Sequence, residues 1–364
     1  YMFKEKLSMK RIVFNGCWVG TNVVGVSRYA YNIIKELDKL LDGSKDKYYV
    51  ELLVPADAVE CDLGFNNITI VKRGQCTGKV NKIFWEQVVF PHYVKETKGV
   101  GVDLTLSIPV HGIKYIAIHD CIYESFPENY KGHELHRALY MWKVKKVTRQ
   151  EKVQIITVSN ESKKEIVKYY NVAPNRITVI GNGWEHMKDI TSDERVFEKC
   201  KIDDKKPYFF ALGSKYKHKN LIWILNAAKK NPKYNFVLTG NDSFSKESEE
   251  LNREKVDNVI FTGFVSDGEM KALMLNCVAL IQPSLYEGFG IPPIEALSLG
   301  KKVIVSRACC LPEIYEDAAI YIDPNNSDVD LDLLMKEHIG GAKCILEKHS
   351  WKKSAKEMLK LIGS

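Results

Sequence analysis

The segment Glu287-Gly-Phe-Gly-Ile-Pro-Pro-Ile-Glu295 is the most informative part of this chain, because its pattern is typical of the junction between a buried strand and a helix. Residues 277–282 before it form an apolar run that is long enough for a strand buried on both faces. Pro292 and Pro293 suit the first turn of a helix, where a missing N–H costs nothing, and Gly300 predicts the end of that helix. Such a strand-to-helix junction is also a place where α/β proteins bind ligands.

Two glycines leave the backbone bare in front of this helix. Gly288 and Gly290 carry no side chain that would cover the unpaired N–H groups, so these groups can meet an anion or a hydroxyl-rich ligand. We expect Glu295 in the first turn, where its carboxylate would accept hydrogen bonds from a vicinal diol, and Glu287 on the loop to reach other hydroxyls. The alternative is structural, since acids are favoured near a helix start and glycines form turns.

Strand-like and helix-like runs alternate along the whole chain. Helices are predicted over 28–41 and 161–170, among others, and the chain of 364 residues exceeds the size at which one core keeps growing. Two successive doubly wound parallel sheets explain this α/β pattern best. The predicted strands are residues 11–18, 49–54, 68–71, 102–106, 114–119, 154–158 and 177–180, then 207–212, 235–238, 259–261, 278–282, 302–305 and 320–322.

A family resemblance rests on several motifs that occur in one order. Residues 287–324 look like the donor-site signature of the retaining GT-B glycosyltransferases of family 4, the group 1 glycosyltransferases, with its two glutamates separated by seven residues. The resemblance implies two Rossmann-like domains that face each other across a cleft. Further segments are similar to family motifs: Gly25-Val-Ser-Arg-Tyr29, Ile118-His-Asp120 with Phe126-Pro-Glu128, Thr157-Val-Ser159 with residues 177–183, and Gly213-Ser-Lys-Tyr-Lys-His-Lys-Asn-Leu221.

The domain boundary is expected in the polar stretch 182–206. We assign residues 1–188 to an acceptor-side domain and 189–349 to a domain that binds the nucleotide sugar. A last helix over 350–364 is expected to pack back on the first domain, as the resemblance implies.

The resemblance implies a site for the donor diphosphate. Lys219 is expected one residue inside a helix that follows a strand and a glycine, where its charge can reach the leaving group. Gly213 and Ser214 would contribute to donor binding from the preceding loop. The chain departs from the common pattern, because His218 stands where relatives often have arginine and Ser214 replaces a basic residue; Lys215 or Lys217 would then supply the second cation.

Two further candidates lie in the first half. His119 follows an apolar strand at the sheet edge where α/β active sites lie, and the resemblance gives a histidine here a role toward donor sugar or acceptor. Its structural alternative is a histidine that caps the strand for packing. Gly25 lies in the loop 20–27, which is expected to precede a helix that opens at Arg28 and to present N–H groups toward the donor; an ordinary turn is the alternative.

The implied reaction is retaining transfer of a sugar from a nucleotide-diphosphate sugar to an acceptor hydroxyl, with the departing diphosphate accepting the proton. Lys219 and the N–H groups near Gly288 and Gly290 would stabilise the leaving group. The sugar hydroxyls would be bound by Glu287 together with Phe289, Gly290 and Ile291. Glu295 would bind the ribose. His119, Lys219 and Glu287 are the catalytic candidates, and neither a metal nor another cofactor is expected.

Composition excludes some classes of protein. The nine cysteines are odd in number, scattered and without a C-x-x-C pair, which favours reduced thiols over a disulfide framework or a zinc site. The net charge of +7 is spread along the chain and no nucleic-acid motif is present, so nucleic acid is not expected as a partner. No apolar run approaches a membrane span and residues 1–11 lack a signal-peptide core, which predicts a cytoplasmic protein.

The acceptor and the membrane are less defined. Similarity to enzymes of bacterial surface polysaccharides indicates a saccharide or lipid-linked saccharide acceptor, with GDP or UDP on the donor. A predicted helix over 131–149 ends in Lys143-Val-Lys-Lys-Val-Thr-Arg149 and could meet anionic lipid at the inner face of the membrane; basic residues favoured at a helix end, beside a core-facing apolar stripe, are the alternative. A sugar-nucleotide epimerase of the same architecture and a non-catalytic sugar-nucleotide sensor remain competing functions.

Overall fold

The computed structural model describes residues 9–20, 25–44, 47–59, 62–203, 205–213, 216–240 and 256–364. The chain divides into two compact units. The first unit comprises Tyr1–Ser125, Tyr130–Asn182 and Trp351–Ser364, and the second comprises Phe126–Asn129 and Gly183–Ser350.

The first unit is built on a parallel sheet of seven strands in the order β3-β2-β1-β4-β5-β6-β7. Its first strand buries Ile12, Val13 and Phe14 completely, as a central strand covered on both faces should. The strands are β1 Lys10–Asn15, β2 Tyr48–Val54, β3 Ile68–Lys72, β4 Val100–Asp103, β5 Tyr115–Ala117, β6 Gln154–Thr157 and β7 Ile177–Val179.

Helices of the first unit flank this sheet. The final helix, Trp351–Gly363, belongs here, and the ring of Trp351 meets the ring of Tyr29 edge-on at 6.1 Å. Burying an aromatic side chain of this kind stabilises the fold by about 1.5–3 kcal/mol. The other helices are Gly25–Leu41, Lys79–Phe84, Phe90–Glu96, Ile122–Ser125, Glu134–Thr148 and Asn160–Tyr170, and one π-helical turn spans Trp85–Val89.

The second unit repeats the architecture with six parallel strands in the order β10-β9-β8-β11-β12-β13. Its strands are β8 Tyr208–Ala211, β9 Asn235–Leu238, β10 Val259–Phe261, β11 Ala279–Gln282, β12 Lys302–Ser306 and β13 Ile320–Ile322. The helices are His186–Asp189, Arg195–Lys199, Leu221–Lys230, Asp267–Asn276, Ile291–Ser298, Leu311–Tyr315, Leu331–Leu334 and Ala342–Lys348. Among the described residues, no helix combines the length and apolar character that a membrane crossing needs.

The predicted fold class is confirmed, and each strand of the two sheets overlaps a predicted run. Several boundaries were wrong. Strand β1 ends at Asn15 rather than at residue 18, because Gly16 and the residues after it turn away from the sheet. The helix that was predicted to open at Arg28 already begins at Gly25, and the helix predicted over 131–149 spans Glu134–Thr148.

Each sheet reverses its strand order at one point, and there the loops that leave two adjacent strands diverge to form a crevice. In the first sheet this point lies between β1 and β4, and in the second between β8 and β11. The candidate residues of the second unit follow β8 and β11, so the topology alone brings them to one place.

Candidate functional site

Lys219 and Glu287 form an ion pair at the switch point of the second sheet. Lys219 ends the 3₁₀ turn Lys217–Lys219 after β8, whereas Glu287 lies on the loop after β11. The Lys219 Nζ atom is 2.8 Å from Oε1 and 3.0 Å from Oε2 of Glu287. Lys219 therefore lies just before the helix that starts at Leu221, not inside it as was expected.

Two neutral donors complete the surroundings of Glu287. Gln282 Nε2 donates to Glu287 Oε1 over 2.8 Å, and Ser284 Oγ donates to the same oxygen over 2.7 Å. The Ser284 carbonyl in turn accepts a hydrogen bond from the Ser306 hydroxyl on β12. These contacts fix the carboxylate while leaving Oε2 with fewer partners than Oε1, so Oε2 has capacity for a ligand hydroxyl.

The helix N-terminus next to this pair begins as predicted. Gly290 precedes the helix Ile291–Ser298 with a φ of +81°, and a Cβ there would lie 2.7 Å from Leu311 Cδ2 and 3.0 Å from Gln282 Nε2. Both the backbone conformation and the space therefore require glycine. The Tyr315 hydroxyl donates to the Gly290 carbonyl, which fixes the turn, and it accepts from the Ile294 N–H. Because Pro292 and Pro293 have no N–H, the first helical turn offers a ligand the N–H of Ile291.

Side chains around the turn are mostly buried. Phe289 packs edge-on against the His349 ring at 5.3 Å and is only 3% exposed, and Gly288 is buried as well. Ile291 is the first helical residue and is half-buried. A sugar could thus meet the backbone of this turn, whereas the Phe289 side chain belongs to the core.

Glu295 does not lie in the first turn of the helix, where it was predicted. It is the fifth residue of Ile291–Ser298 and is 2% exposed, because the three residues after Ile291 already complete the first turn. Its Oε1 is 2.7 Å from Nε2 of His186, which is also buried. A buried carboxylate of this kind needs a partner, and His186 provides it.

The loop after β8 contains a glycine that the packing requires. A Cβ at Gly213 would lie 2.1 Å from the Thr239 carbonyl oxygen, a distance that no side chain tolerates. Ser214 and Lys215, which were predicted for donor binding, lie outside the described residues. Lys217 is exposed, and its Nζ is 3.9 Å from Glu128 Oε1.

His218 does not replace the arginine that many relatives have at this position. Its ring is buried, and its Nδ1 accepts a hydrogen bond from Asn129 Nδ2 over 2.9 Å. Burial, and then the adjacent Lys219, lower the pKa of His218 to about 4, so the ring is neutral at pH 7. The rings of Phe126 and Tyr216 lie beside it, with ring centroids at 5.8 Å and 5.7 Å.

In the first unit, His119 is buried after β5. Its Nε2 donates to the Leu104 carbonyl over 3.0 Å, and the Tyr29 ring packs edge-on at 4.8 Å. Burial lowers the pKa of His119, and the hydrogen bond to Leu104 opposes this only in part, so the imidazole is neutral at pH 7. The structural alternative, a histidine that packs at a strand end, describes these contacts as well as a functional role does.

A buried polar network supports the switch point of the first sheet. Asp103 at the end of β4 accepts hydrogen bonds from Thr105 Oγ1 over 2.8 Å and from the Ser107 hydroxyl. Asn15 at the end of β1 donates to Ser107 Oγ over 2.7 Å. Gly25, a predicted donor contact, begins the neighbouring helix, while the loop residues 21–24 lie outside the described part of the chain.

Sequence reasoning missed Gln282, Ser284 and His186. The sequence pattern gives Gln282 only as the last residue of a strand and Ser284 only as a residue that bounds it, although a polar residue that closes an apolar strand is a signal for the carboxyl edge of a sheet. His186 is separated from Glu295 by 109 residues, and no local pattern indicates that they meet.

The comparisons with known proteins agree with this geometry. Residues 192–358 match the family described as Glycosyl transferases group 1. The O-antigen chain mannosyltransferase RfbU of Salmonella typhimurium is 31% identical over 224 residues, which cover 60% of this chain. The alignment spans only 59% of that relative's length.

Solved structures share the fold along nearly the whole chain. Sucrose-phosphate synthase from Thermosynechococcus elongatus superposes with a TM-score of 0.67 at 16% identity and covers 97% of this chain and 98% of its own. The structure of HepE from Anabaena, in complex with UDP-glucose, superposes with a TM-score of 0.64 at 15% identity. The superposition covers 96% of this chain and 99% of HepE. The two parallel-sheet units thus share the GT-B fold with these structures.

Proposed function

We propose that this chain transfers a sugar from a nucleotide-diphosphate sugar to an acceptor hydroxyl, as a retaining glycosyltransferase of family 4. The observation that carries the proposal is the Lys219–Glu287 pair beside the start of the helix Ile291–Ser298, inside the segment that matches the group 1 glycosyl transferases. A cation, a carboxylate and the N-terminus of a helix together suit a ligand that combines negative phosphates with sugar hydroxyls.

The phosphate end of the donor would meet Lys219 and the N–H groups near Gly288 and Gly290. In the reaction the bond from the sugar C1 to the diphosphate oxygen breaks, and a bond from C1 to the acceptor oxygen forms on the same side. The acceptor proton passes to the departing diphosphate. Negative charge grows on the leaving oxygens, so a fixed ammonium and helix dipole stabilise the transition state more than the ground state.

The sugar and the ribose would be held by the two glutamates. Glu287 Oε2 would accept from sugar hydroxyls, with backbone groups of Phe289 to Ile291 beside it. Glu295 would accept from the ribose through the oxygen that His186 does not use. His119 in the first unit is a neutral hydrogen-bonding group for the acceptor or the sugar. None of these roles uses a metal ion or another cofactor.

The acceptor belongs to surface polysaccharide synthesis in this proposal. RfbU is named as an O-antigen chain mannosyltransferase, and HepE binds UDP-glucose in its structure. A saccharide or a lipid-linked saccharide is therefore the acceptor class, and GDP-linked or UDP-linked sugars are the donors to test first.

Peripheral contact with an anionic membrane is part of the proposal. On the helix Glu134–Thr148, Leu135, Leu139 and Trp142 are exposed to water. Tyr140, Val144 and Val147 are buried in the core, so the helix has the core-facing stripe of the alternative as well as exposed apolar side chains. Lys145 and Lys146 near its end are exposed as well. Exposed apolar and basic residues on one helix favour the interface of an anionic bilayer.

Thermal unfolding in the presence of UDP, GDP or ADP tests the donor site, because a ligand that binds only the folded state raises its stability. We expect one of the three to raise Tm strongly in the wild type and weakly in Lys219→Ala. Transfer from the matching sugar nucleotides to a panel of saccharide and lipid-linked acceptors then tests the activity. Conversion of the donor without acceptor would indicate the epimerase instead, and binding without any conversion would indicate a sensor.

A further inference from the structure

The first unit has a cavity of about 740 Å³, open to solvent, next to the switch point of its sheet. The size is typical of a small-molecule site. Most of the lining comes from the loop after β4 and from two helices, Lys79–Phe84 and Glu134–Thr148. The apolar and aromatic lining residues include Trp18, Ile83, Leu106, Leu135, Leu139 and Tyr140.

Apolar side chains at this cavity are exposed to water. Leu135 is 84% exposed, Ile83 49% and Leu139 41%. Their neighbours Val80 and Phe84 on the helix Lys79–Phe84 are exposed too. Exposed apolar surface costs free energy in proportion to its area, and its concentration around one opening marks a binding surface.

Two lysines at the cavity are available to an anion. Lys79 and Lys82 both line it, and within the described part of the chain neither amine has a carboxylate oxygen within 4.0 Å. Lys143 differs, because its Nζ donates to the Ser107 carbonyl over 2.7 Å and lies 3.7 Å from Glu86 Oε2.

The lowered pKa of His136 reflects the positive charges of the side chains around this cavity. Burial is the main cause that lowers its pKa, and the charges of Lys143, His133, Lys79 and Lys82 lower it further. Several cations therefore converge on this part of the cavity, where an anionic group would be attracted.

Polar groups at the inner end of the cavity already have partners. Ser107 Oγ and Thr105 Oγ1 both donate to Asp103, and Glu86 lies against the Lys143 ammonium. A saccharide needs many free donors and acceptors, and this lining offers few. An apolar chain needs none.

We propose that this cavity binds the lipid end of the acceptor, an amphiphile with a long apolar chain and a phosphate or diphosphate head. The chain lies against Leu106, Leu135 and Leu139, and the head pairs with Lys79 and Lys82. The inference rests on the proposed function for the role of this amphiphile as acceptor, and it deepens that function by selecting a lipid-linked acceptor.

Farnesyl diphosphate, below its aggregation concentration, is the probe for calorimetric titration of the full chain. We expect saturable binding to the wild type that persists in saturating UDP or GDP, since the site lies in the first unit and does not use the nucleotide groups. The double variant Lys79→Ala/Lys82→Ala and the variant Leu135→Asp should each weaken binding more than tenfold. Leu135 is so exposed that its replacement should leave the fold intact.

Matched probes and variants separate the sources of binding. Inorganic diphosphate and farnesol should bind at least tenfold more weakly than farnesyl diphosphate, because each has only half of the chemistry. Lys95→Ala/Lys352→Ala removes the same charge from exposed lysines that do not line the cavity, and it should bind like the wild type.

Four results would overturn the proposal: no binding of farnesyl diphosphate, equal binding of inorganic diphosphate, full competition by UDP or GDP, or equal losses in the control variant. Transfer to a soluble saccharide without farnesyl diphosphate binding would overturn this inference alone. Binding without any sugar transfer to lipid-linked or free acceptors would overturn the proposed function alone.

Discussion

Lys219 Nζ lies 2.8 Å and 3.0 Å from the two carboxylate oxygens of Glu287, so the cation assigned to the leaving diphosphate and the carboxylate assigned to the sugar form one ion pair. An ammonium has three N–H donors, of which Glu287 uses two. A diphosphate that binds here must either take the third donor or displace Glu287. The two roles are therefore coupled, and a change in either residue alters the charge that the other one presents.

Lys219→Ala should lower kcat by about two to four powers of ten, because the negative charge on the leaving oxygens grows in the transition state. Lys219→Arg keeps the charge but alters its geometry, and we expect an intermediate rate. Steady-state kinetics with the preferred sugar nucleotide measure both effects, once that nucleotide is identified from thermal unfolding.

Lys336→Ala is the control for this prediction, since Lys336 is exposed in the same unit and is not a candidate for the phosphate site. Its turnover should stay within a few fold of the wild type. Near-normal turnover of Lys219→Ala would contradict the assignment and would move the phosphate role to Lys215 or Lys217.

Glu295→Ala should destabilise the protein, contrary to the expectation for a carboxylate at a surface. The substitution leaves the His186 ring buried without its 2.7 Å partner, which costs about 1–3 kcal/mol. Urea unfolding measures the loss, and Glu337→Ala, at an exposed position of the same unit, should change stability little. A loss no larger than that of Glu337→Ala would show that the pair contributes nothing to stability.

The role of Glu295 in ribose binding needs a separate measurement. If its second oxygen accepts from the ribose, Glu295→Ala should also weaken nucleotide binding by roughly 1.5–3 kcal/mol. His186→Ala should affect stability but spare most of the nucleotide affinity, so the two variants separate the contact from the packing. Unchanged nucleoside diphosphate affinity in folded Glu295→Ala, by calorimetry, would eliminate the ribose contact.

The fold could be predicted from local patterns because each strand of a doubly wound sheet is a short apolar run between polar turns. Residues 235–238 and 320–322 needed no other information. The partners of the candidate residues were harder to predict. Glu287 and Glu295 are equally polar in sequence, yet one lies on a loop and the other is buried on a helix against His186, and only tertiary packing distinguishes them.

Gly213→Ala should destabilise the protein by about 1–3 kcal/mol, because the new Cβ would lie 2.1 Å from the Thr239 carbonyl oxygen and the backbone would have to shift. Gly43→Ala is the control, since no atom lies within 4 Å of its Cβ position and its φ is not positive. We expect that control to be neutral or slightly stabilising. Equal unfolding midpoints for both variants would contradict the close approach at Gly213.

Glu86 should make stability depend on pH. Burial raises its pKa from the usual 4.5 to about 7, although Lys143 and Lys82 oppose the shift. The folded protein thus holds this proton more tightly than the unfolded chain, so the contribution of Glu86 to stability is fully present below pH 4.5 and is lost as the pH rises through about 7.

The unfolding free energy of Glu86→Gln, measured relative to that of the wild type, should therefore rise by up to about 3 kcal/mol between pH 5 and pH 8. Glu96→Gln, at an exposed position of the same unit, is the control and should follow the wild-type curve. If the unfolding free energies of Glu86→Gln and the wild type changed in parallel with pH, Glu86 would have its ordinary pKa in the folded state.

Vesicle binding tests the membrane contact, and the structure changes the choice of residues. Lys143 is held by Ser107 and Glu86 and its side chain is only 14% exposed, so it is left out, whereas Lys145 and Lys146 are exposed. Lys145→Ala/Lys146→Ala should weaken co-sedimentation with phosphatidylglycerol vesicles by roughly 2 kcal/mol, about thirtyfold, at low salt. The difference should shrink as salt shortens the screening length toward about 10 Å at 0.1 M.

Lys95→Ala/Lys352→Ala has the same net charge and should bind like the wild type, because those lysines lie on other helices. Equal, salt-insensitive sedimentation of all three proteins would leave the helix Glu134–Thr148 without a membrane role.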